Sequence, residues 1–217
     1  MKYKHIIWDW NGTLFEDVFL CCDIMNHILQ KRNLPQITLE QYRDVFTFPV
    51  IEYYKNVGLD LEKYPFKDLG VEFITEYENR KLDYNLFAGA EQTLSTINNL
   101  GLSQSILSAY SQNTLEEIVE HFNIKKYFVK VVGLDNIYAA SKIENGKKWI
   151  KQLNISGSEV LLIGDSLHDK EVADEVNADC ILLSHGHQSL KTLKKENIKL
   201  LNSFKELLVF IQNNFSD

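Results

Sequence analysis

Cysteine is scarce in this chain: Cys21, Cys22 and Cys180 are the whole supply. An odd number with one adjacent pair makes no disulfide framework and has no metal-ligand spacing. The three are therefore expected to be small, reduced core residues of a cytoplasmic protein. Long apolar runs are lacking as well. No stretch approaches the roughly 20 residues of a membrane-spanning helix, and Asp9 interrupts the first apolar run too early for a secretion signal. No membrane partner is expected. Positive charge is also in short supply: 23 Lys and Arg stand against 30 Asp and Glu, a net charge of -7. A binder of the phosphate backbone wants a basic face, so nucleic acid is excluded as the expected partner. Any anionic ligand would need local positive charge, from a metal ion and a few lysines. Repeats and low-complexity tracts are absent too. What remains is the composition of an ordinary globular chain of 217 residues, long enough to bury a sizeable core.

Two apolar runs each end on an acidic residue. His5-Ile6-Ile7-Trp8 leads into Asp9-Trp10-Asn11-Gly12-Thr13, and Val160-Leu161-Leu162-Ile163 leads into Gly164-Asp165-Ser166, with Asp169 four residues beyond Asp165. Carboxylates at the carboxyl ends of buried strands mark the place where an open α/β sheet puts its ligand site. Two such carboxylates with a lysine and a hydroxyl describe a site for a divalent cation and a phosphate. Asp9 is the candidate nucleophile, because a carboxylate can form an acyl phosphate and split one displacement into two. Asp165 is the best metal ligand, since magnesium takes a few carboxylates plus water and phosphate oxygens. Asp169, one helical turn on, either ligates, holds a metal-bound water, or caps the helix that follows. Gly12 lets the backbone approach an anion closely. Thr13 is expected to orient that loop. Lys142 is a candidate charge for the phosphate, with Lys147 and Lys148 as neighbouring alternatives, and Ser108 ends the apolar run Ser105-Ile106-Leu107. His168 is expected to face solvent.

Around these residues the pattern divides. Between positions 17 and 84 there is almost no strand signal. Asp17 to Gln30 carries apolar residues at 18, 20, 21, 24, 25, 28 and 29, a helical spacing. Thr38 with Gln41 forms a capping box, Pro49 can open a helix, and Phe66 to Leu82 reads as a further helix. Phe46, Phe48, Tyr53, Tyr54, Phe73 and Tyr77 are expected to fill the interior of this segment. After residue 85 strands and helices alternate, which implies a parallel sheet covered on both faces. The expected fold class is α/β: a doubly wound parallel sheet formed by residues 1–15 and 85–217, with an all-helical segment, 16–84, inserted after the first strand.

Taken in order, these segments resemble the motifs of the haloacid dehalogenase-like hydrolase superfamily. Asp9-Trp10-Asn11-Gly12-Thr13-Leu14 is similar to its first motif (D-x-D-G-T-L), Ser108 to its second and Lys142 to its third. Gly164-Asp165-Ser166-Leu167-His168-Asp169 is similar to its fourth (G-D-x-x-x-D). The helical insert and Leu86-Phe87-Ala88-Gly89-Ala90 resemble the cap, and the exit from the cap, of the phosphoglycolate phosphatase-like branch. The resemblance implies a magnesium-dependent phosphatase of a small phosphorylated metabolite. In that reading Asp9, the main-chain carbonyl of Asn11, Asp165 and Asp169 hold Mg2+. Gly12, Thr13, Ser108 and Lys142 meet the phosphate, and the cap closes over the site. Lys142 is preferred over its neighbours on the spacing to the fourth motif, although Ile143 stands where the family has proline.

One departure matters. The family's phosphatases carry aspartate at position 11, where its carboxyl protonates the leaving alkoxide. Asn11 keeps the main-chain carbonyl and loses the proton, a change that bears on a step worth about 10²–10⁴-fold. Asn11→Asp is accordingly expected to raise the hydrolysis of alkyl phosphates. A non-catalytic phospholigand-binding protein on the same fold is the competing expectation. The acidic residues count against it, since an idle site need not keep buried like charges together.

Overall fold

The computed structural model describes residues 2–134 and 142–215. The chain runs β1 (His5–Trp8), α1 (Val18–Gln30), α2 (Leu39–Val45), α3 (Val50–Asn56), α4 (Phe66–Arg80), α5 (Ala90–Asn99), β2 (Ser103–Ser111) and α6 (Gln112–His121). It continues through β3 (Lys130–Leu134), α7 (Lys142–Leu153), β4 (Val160–Gly164), α8 (Leu167–Glu175), β5 (Asp179–Leu183), α9 (Leu190–Leu193), β6 (Lys199–Leu201) and α10 (Phe204–Phe215). The strands form one sheet in the order β3-β2-β1-β4-β5-β6, with every pairing parallel. From β1 the chain first builds outward through β2 and β3, then returns to the other side of β1 for β4, β5 and β6. The reversal falls between β1 and β4, and a doubly wound sheet opens its crevice at such a point.

Alternation along β1 assigns its side chains to two layers. Ile6 and Trp8 face a large core shared with α1, α5, α6 and α10, whereas Ile7 faces a smaller one with Leu107, Trp149, Leu162 and Val172 beneath α7 and α8. Both faces are therefore dry, which is why the strands read as continuous apolar runs. The buried indole N–H of Trp8 is satisfied by Gln104 Oε1 at 3.0 Å.

The helical segment follows β1 as expected. Helix α1 buries Val18, Leu20, Cys21, Cys22, Ile24, Met25, Ile28 and Leu29, the apolar set read from the sequence plus Cys22. Thr38 and Gln41 make the capping box of α2, and α3 begins after Pro49. Two elements were not foreseen: α9 and β6 are four and three residues long, too short for any periodicity to register. All three cysteines are free thiols.

The loop from β1 to α1 is pinned by stacked rings. Trp10 lies on Phe15 with centroids 5.6 Å apart, Phe122 of the segment after α6 closes on both, and Trp10 and Phe15 are wholly buried. Phe15→Ala is expected to destabilise the fold by about 3–5 kcal/mol, read as a shift of the urea midpoint. A midpoint unchanged within error would refute this account of how the loop is held.

Candidate active site

The register of the sheet brings the two acidic strand ends together. Trp8 pairs with Ile163 of β4, and the Asp9 N–H donates to the Ile163 carbonyl at 2.9 Å. Asp9 and Asp165 thereby become neighbours at the carboxyl edge. Oxygens of Asp9, Asp165 and Asp169 lie within 4.8 Å of one another, and all three residues are buried. Lys142, the first residue of α7, lies between two of them. Its Nζ donates to Asp9 Oδ1 at 2.5 Å and to Asp169 Oδ1. The alternatives are elsewhere: Lys147 pairs with Glu175 at 2.7 Å, and Lys148 is exposed.

Each remaining motif residue has a visible task. The Thr13 hydroxyl lies 3.1 Å from Asp165 Oδ1 and 3.4 Å from Asp9 Oδ2, so it touches the two carboxylates, where only the orienting of its own loop was expected. Asp169 Oδ2 accepts from the Asp165 and Ser166 N–H groups and from the Ser166 hydroxyl at 2.7 Å. One oxygen of Asp169 thus caps α8, and the other meets Lys142. Ser108 is buried two residues past Ile106, the register partner of Trp8. Its hydroxyl oxygen accepts from the Tyr110 N–H at 3.0 Å, leaving its proton free to be donated. Gly12 has φ +69°, and a Cβ there would meet His187 Cδ2 at 2.4 Å and Asp165 Oδ2 at 2.6 Å. Both the conformation and the clearance require glycine. Gly12→Ala is expected to lower turnover by about 10²-fold or more, because small displacements of reacting groups are costly. Near-normal para-nitrophenyl phosphate hydrolysis by that variant would count against the geometry.

A second cluster, absent from the sequence reading, adjoins the first. Asp17 is completely buried. It does not cap α1 with its side chain; the carboxylate turns back toward the loop instead. Its Oδ1 accepts from the Gly12 N–H at 2.9 Å and meets His187 Nε2 at 3.2 Å. Its Oδ2 accepts from Asn11 Nδ2 at 2.7 Å and from the Tyr77 hydroxyl at 2.9 Å. His187 in turn meets the Tyr42 hydroxyl through Nδ1 at 2.8 Å, and its N–H donates to Asp165 Oδ2 at 2.6 Å. The missed signal was positional. His185-Gly186-His187 follows β5 at the same edge of the sheet as Asp9 and Asp165, where ligand-site residues gather.

The aromatic residues of the helical segment are not all interior packing. Tyr77 reaches the site through its hydroxyl, and Phe46 stacks on His187 at 5.0 Å. Phe48 stacks on His168 at 4.7 Å, so His168 is covered by a ring on one face rather than open to solvent. It also pairs with Glu171 at 2.9 Å.

Burial dominates the electrostatics. It raises the Asp9 carboxyl to about 6, with Lys142 opposing and Asp169 adding to the shift. It raises Asp165 to about 7, with His187 opposing and Asp169 and Asp9 adding. Burial also pushes Asp17 and Asp169 upward, but the positive charges of His187 and Lys142, respectively, and the hydrogen bonds they donate outweigh it. Both carboxyls end below their ordinary range. Lys142 and His187 end above theirs, because their carboxylate neighbours overcome the burial that would discharge them. The three carboxylates around Lys142 therefore carry more negative charge than one ammonium neutralises. All-oxygen donors in a glycine-walled recess suit a hard divalent cation. The recess has no room to spare: a Cβ on Gly186 would fall 2.1 Å from Asp165 Oδ2.

The profile of the family described as haloacid dehalogenase-like hydrolase matches residues 6–183. The chain belongs to the haloacid dehalogenase-like hydrolase family. The match spans every site residue named above except those of the 185–187 loop. Among its relatives, the phosphoglycolate phosphatase of Vibrio parahaemolyticus is 23% identical over 217 residues, covering 94% of each chain. The phosphoglycolate phosphatase of Photobacterium profundum is 21% identical at the same coverage. In three dimensions the chain resembles a haloacid dehalogenase-like family hydrolase from Streptococcus pneumoniae, with a TM-score of 0.84 at 14% identity, covering 97% of this chain and 99% of that one. A predicted phosphatase from Clostridium acetobutylicum gives 0.83 at 20% identity, with 98% and 100% covered. At these identities the structural likeness establishes the fold.

Proposed function

We propose that this hydrolase is a magnesium-dependent phosphatase of a small phosphorylated metabolite that works through an acyl phosphate on Asp9. The observation that carries the reading is the meeting of Asp9, Asp165 and Asp169 around Lys142 at the switch point of the sheet. Asp9, the main-chain carbonyl of Asn11 and Asp165 would hold Mg2+, with Asp169 behind them. When bound, the ion supplies neutralising charge to the equatorial phosphoryl oxygens.

The chain's own residues do the rest. Lys142 holds Asp9 Oδ1, which turns Oδ2 toward the phosphorus for in-line attack. The Ser108 hydroxyl binds a phosphoryl oxygen, while Gly12, whose N–H is spent on Asp17 Oδ1 rather than on the anion expected there, lets the loop lie close against Asp165. Asp9, with its carboxyl raised to about 6, is largely ionised near neutrality and ready to attack.

Residues 16–84 act as the cap. Arg43 donates to the His185 and Gly186 carbonyls at 2.8 and 3.0 Å, Gln188 donates to the Phe46 carbonyl at 3.2 Å, and the Ser189 N–H donates to the Arg43 carbonyl at 3.0 Å. These contacts fasten the cap to the loop after β5 and exclude water from the site. Among the described residues no helix is long and apolar enough to cross a membrane.

The test is phosphate release from para-nitrophenyl phosphate with and without magnesium, followed by a panel of phosphorylated metabolites that includes phosphoglycolate. Asn11 favours a second reading, a phospholigand-binding protein without turnover. Tight phosphate or metal binding with no release from any compound would establish that alternative in place of catalysis.

A further inference from the structure

Residue 11 is the place where a proton for the leaving group is expected, and the structure commits both side-chain hydrogens of Asn11. The amide carries two N–H donors. One goes to Asp17 Oδ2 at 2.7 Å and the other to the Tyr77 oxygen at 2.8 Å, while the Tyr77 hydroxyl itself donates to Asp17 Oδ2 at 2.9 Å. The three groups close a ring of hydrogen bonds whose directions are forced, because a carboxylate only accepts. The amide cannot flip without setting its carbonyl oxygen against that carboxylate. Its Oδ1 is an acceptor with no hydrogen to give.

The neighbouring donors are committed too. Thr13 is engaged with Asp165 and Asp9, and Lys142 with Asp9 and Asp169. Both ring nitrogens of His187 are taken, by Asp17 and Tyr42. The Tyr110 hydroxyl is held by Glu78. The groups that gather on Asn11 and Asp17, namely Tyr77 and His187, keep no uncommitted side-chain proton.

We propose that the enzyme is built for phosphoryl donors whose leaving group departs without a proton, namely acyl and aryl phosphates, and works poorly on alkyl esters. The inference rests on the phosphatase reading above. In the first step an Asp9 oxygen bonds to phosphorus, the bond from phosphorus to the leaving oxygen breaks, and the electron pair leaves with that oxygen. A carboxylate, whose acid has a pKa of about 4, departs as it is, and a phenoxide, at about 10, departs less readily. An alkoxide, close to the roughly 15.7 of water, needs a proton that neither Asn11 nor the groups it touches can give. In the second step water bonds to phosphorus while donating a hydrogen bond to Asn11 Oδ1, and the bond from phosphorus to Asp9 breaks. Asp9 leaves as a carboxylate and both hydrogens of the water stay with the released dihydrogen phosphate. That step needs an acceptor to orient the water, which Asn11 is, and no net base.

The experiment compares kcat/KM, with magnesium, for acetyl phosphate, a series of substituted phenyl phosphates and phosphoglycolate. The expected result is a steep fall along the phenyl series as the leaving group becomes more basic. The alkyl ester should lie at least about 10²-fold below acetyl phosphate, the lower bound of what a general acid supplies. A flat series, or phosphoglycolate turned over as fast as acetyl phosphate, overturns the inference and leaves the phosphatase reading standing. No release from any compound removes both.

An exchange variant sharpens the comparison. A carboxylate placed at 11 alone would face the Asp17 carboxylate across the present 2.7 Å contact. Asn11→Asp combined with Asp17→Asn keeps one carboxyl and one amide in the ring and puts the acid on the site side. The ratio of alkyl to acyl kcat/KM should rise at least about tenfold in that protein. An unchanged ratio in a folded variant overturns the inference; if the variant fails to fold, the phenyl series on the unaltered enzyme decides.

Discussion

Asp9→Ala is expected to lower phosphate release by at least about 10⁴-fold while the protein stays folded. The loss is large because nothing else can take over the attack. Asp165 is held by Thr13 and the His187 N–H, and Asp169 spends one oxygen on Lys142 and the other on the start of α8. Stability should move little. Lys142 keeps Asp169 as its partner when Asp9 is gone. The group removed is one that burial holds reluctantly, with its carboxyl raised to about 6. Removing one of three crowded carboxylates relieves repulsion while opening a small polar gap. The measurements are steady-state release of phosphate and a thermal melt on the same preparation. Turnover within tenfold of the unaltered enzyme would end the nucleophile assignment. An unfolded variant would show that the Asp9–Lys142 pair is structural, and isosteric Asp9→Asn would then decide the chemistry.

Magnesium is expected to raise the melting temperature by roughly 5–10 °C at pH 8 and by less than about 2 °C at pH 5. The sign follows from the raised carboxyls. Burial brings Asp9 to about 6 and Asp165 to about 7, above their values in the unfolded chain, so the folded protein holds these protons more tightly. Their contribution to stability is complete below the unfolded value near 4 and is lost as pH rises through about 6 and 7. Above that window the metal-free fold carries ionised, mutually repelling carboxylates, the species a divalent cation binds. Below it, protons compete with the ion. Asp17 and Asp169, held below the ordinary carboxyl range, stay ionised across the window and do not alter its position. Saturation at about 100 times Kd is worth about 2.7 kcal/mol, and a chain of this length shifts by about 2–4 °C per kcal/mol. Scanning fluorimetry with and without the ion reads the effect. Equal shifts at the two pH values, or none at pH 8, would sink this account of the carboxylates.

Much of the fold could be read from the residues. Apolar runs of four to five residues ending on Asp9 and Asp165 mark strands buried on both faces, and their register then follows from pairing in one parallel sheet. The helical segment was legible because α1 carries a nearly unbroken apolar face and α2 a capping box. Less legible was anything decided by a side chain crossing between elements. Asp17 reads as the polar residue ahead of an apolar helix, and only the turn of the chain at Gly12 shows that its carboxylate points backward. Tyr77 reads as packing, since its ring is buried and one hydroxyl at the tip carries its role. His187 lies in a loop with no periodicity to announce it. Lys142 could be separated from Lys147 and Lys148 by a resemblance in spacing alone; the structure separates them by burial and by two ion pairs. Strand β6, with only three residues, presents no pattern to read.

The two oxygens of Asp169 narrow what that position can become. Glutamate could still close the first turn of α8, as Gln41 does for α2, but its extra methylene would carry the second oxygen off the place where Asp169 meets Lys142. Asparagine would still close the turn through its carbonyl, yet would present an N–H to the ammonium it faces and leave Lys142 short of an anion. Secondary structure and pocket charge are written into one four-carbon acid, and neither can drift without the other.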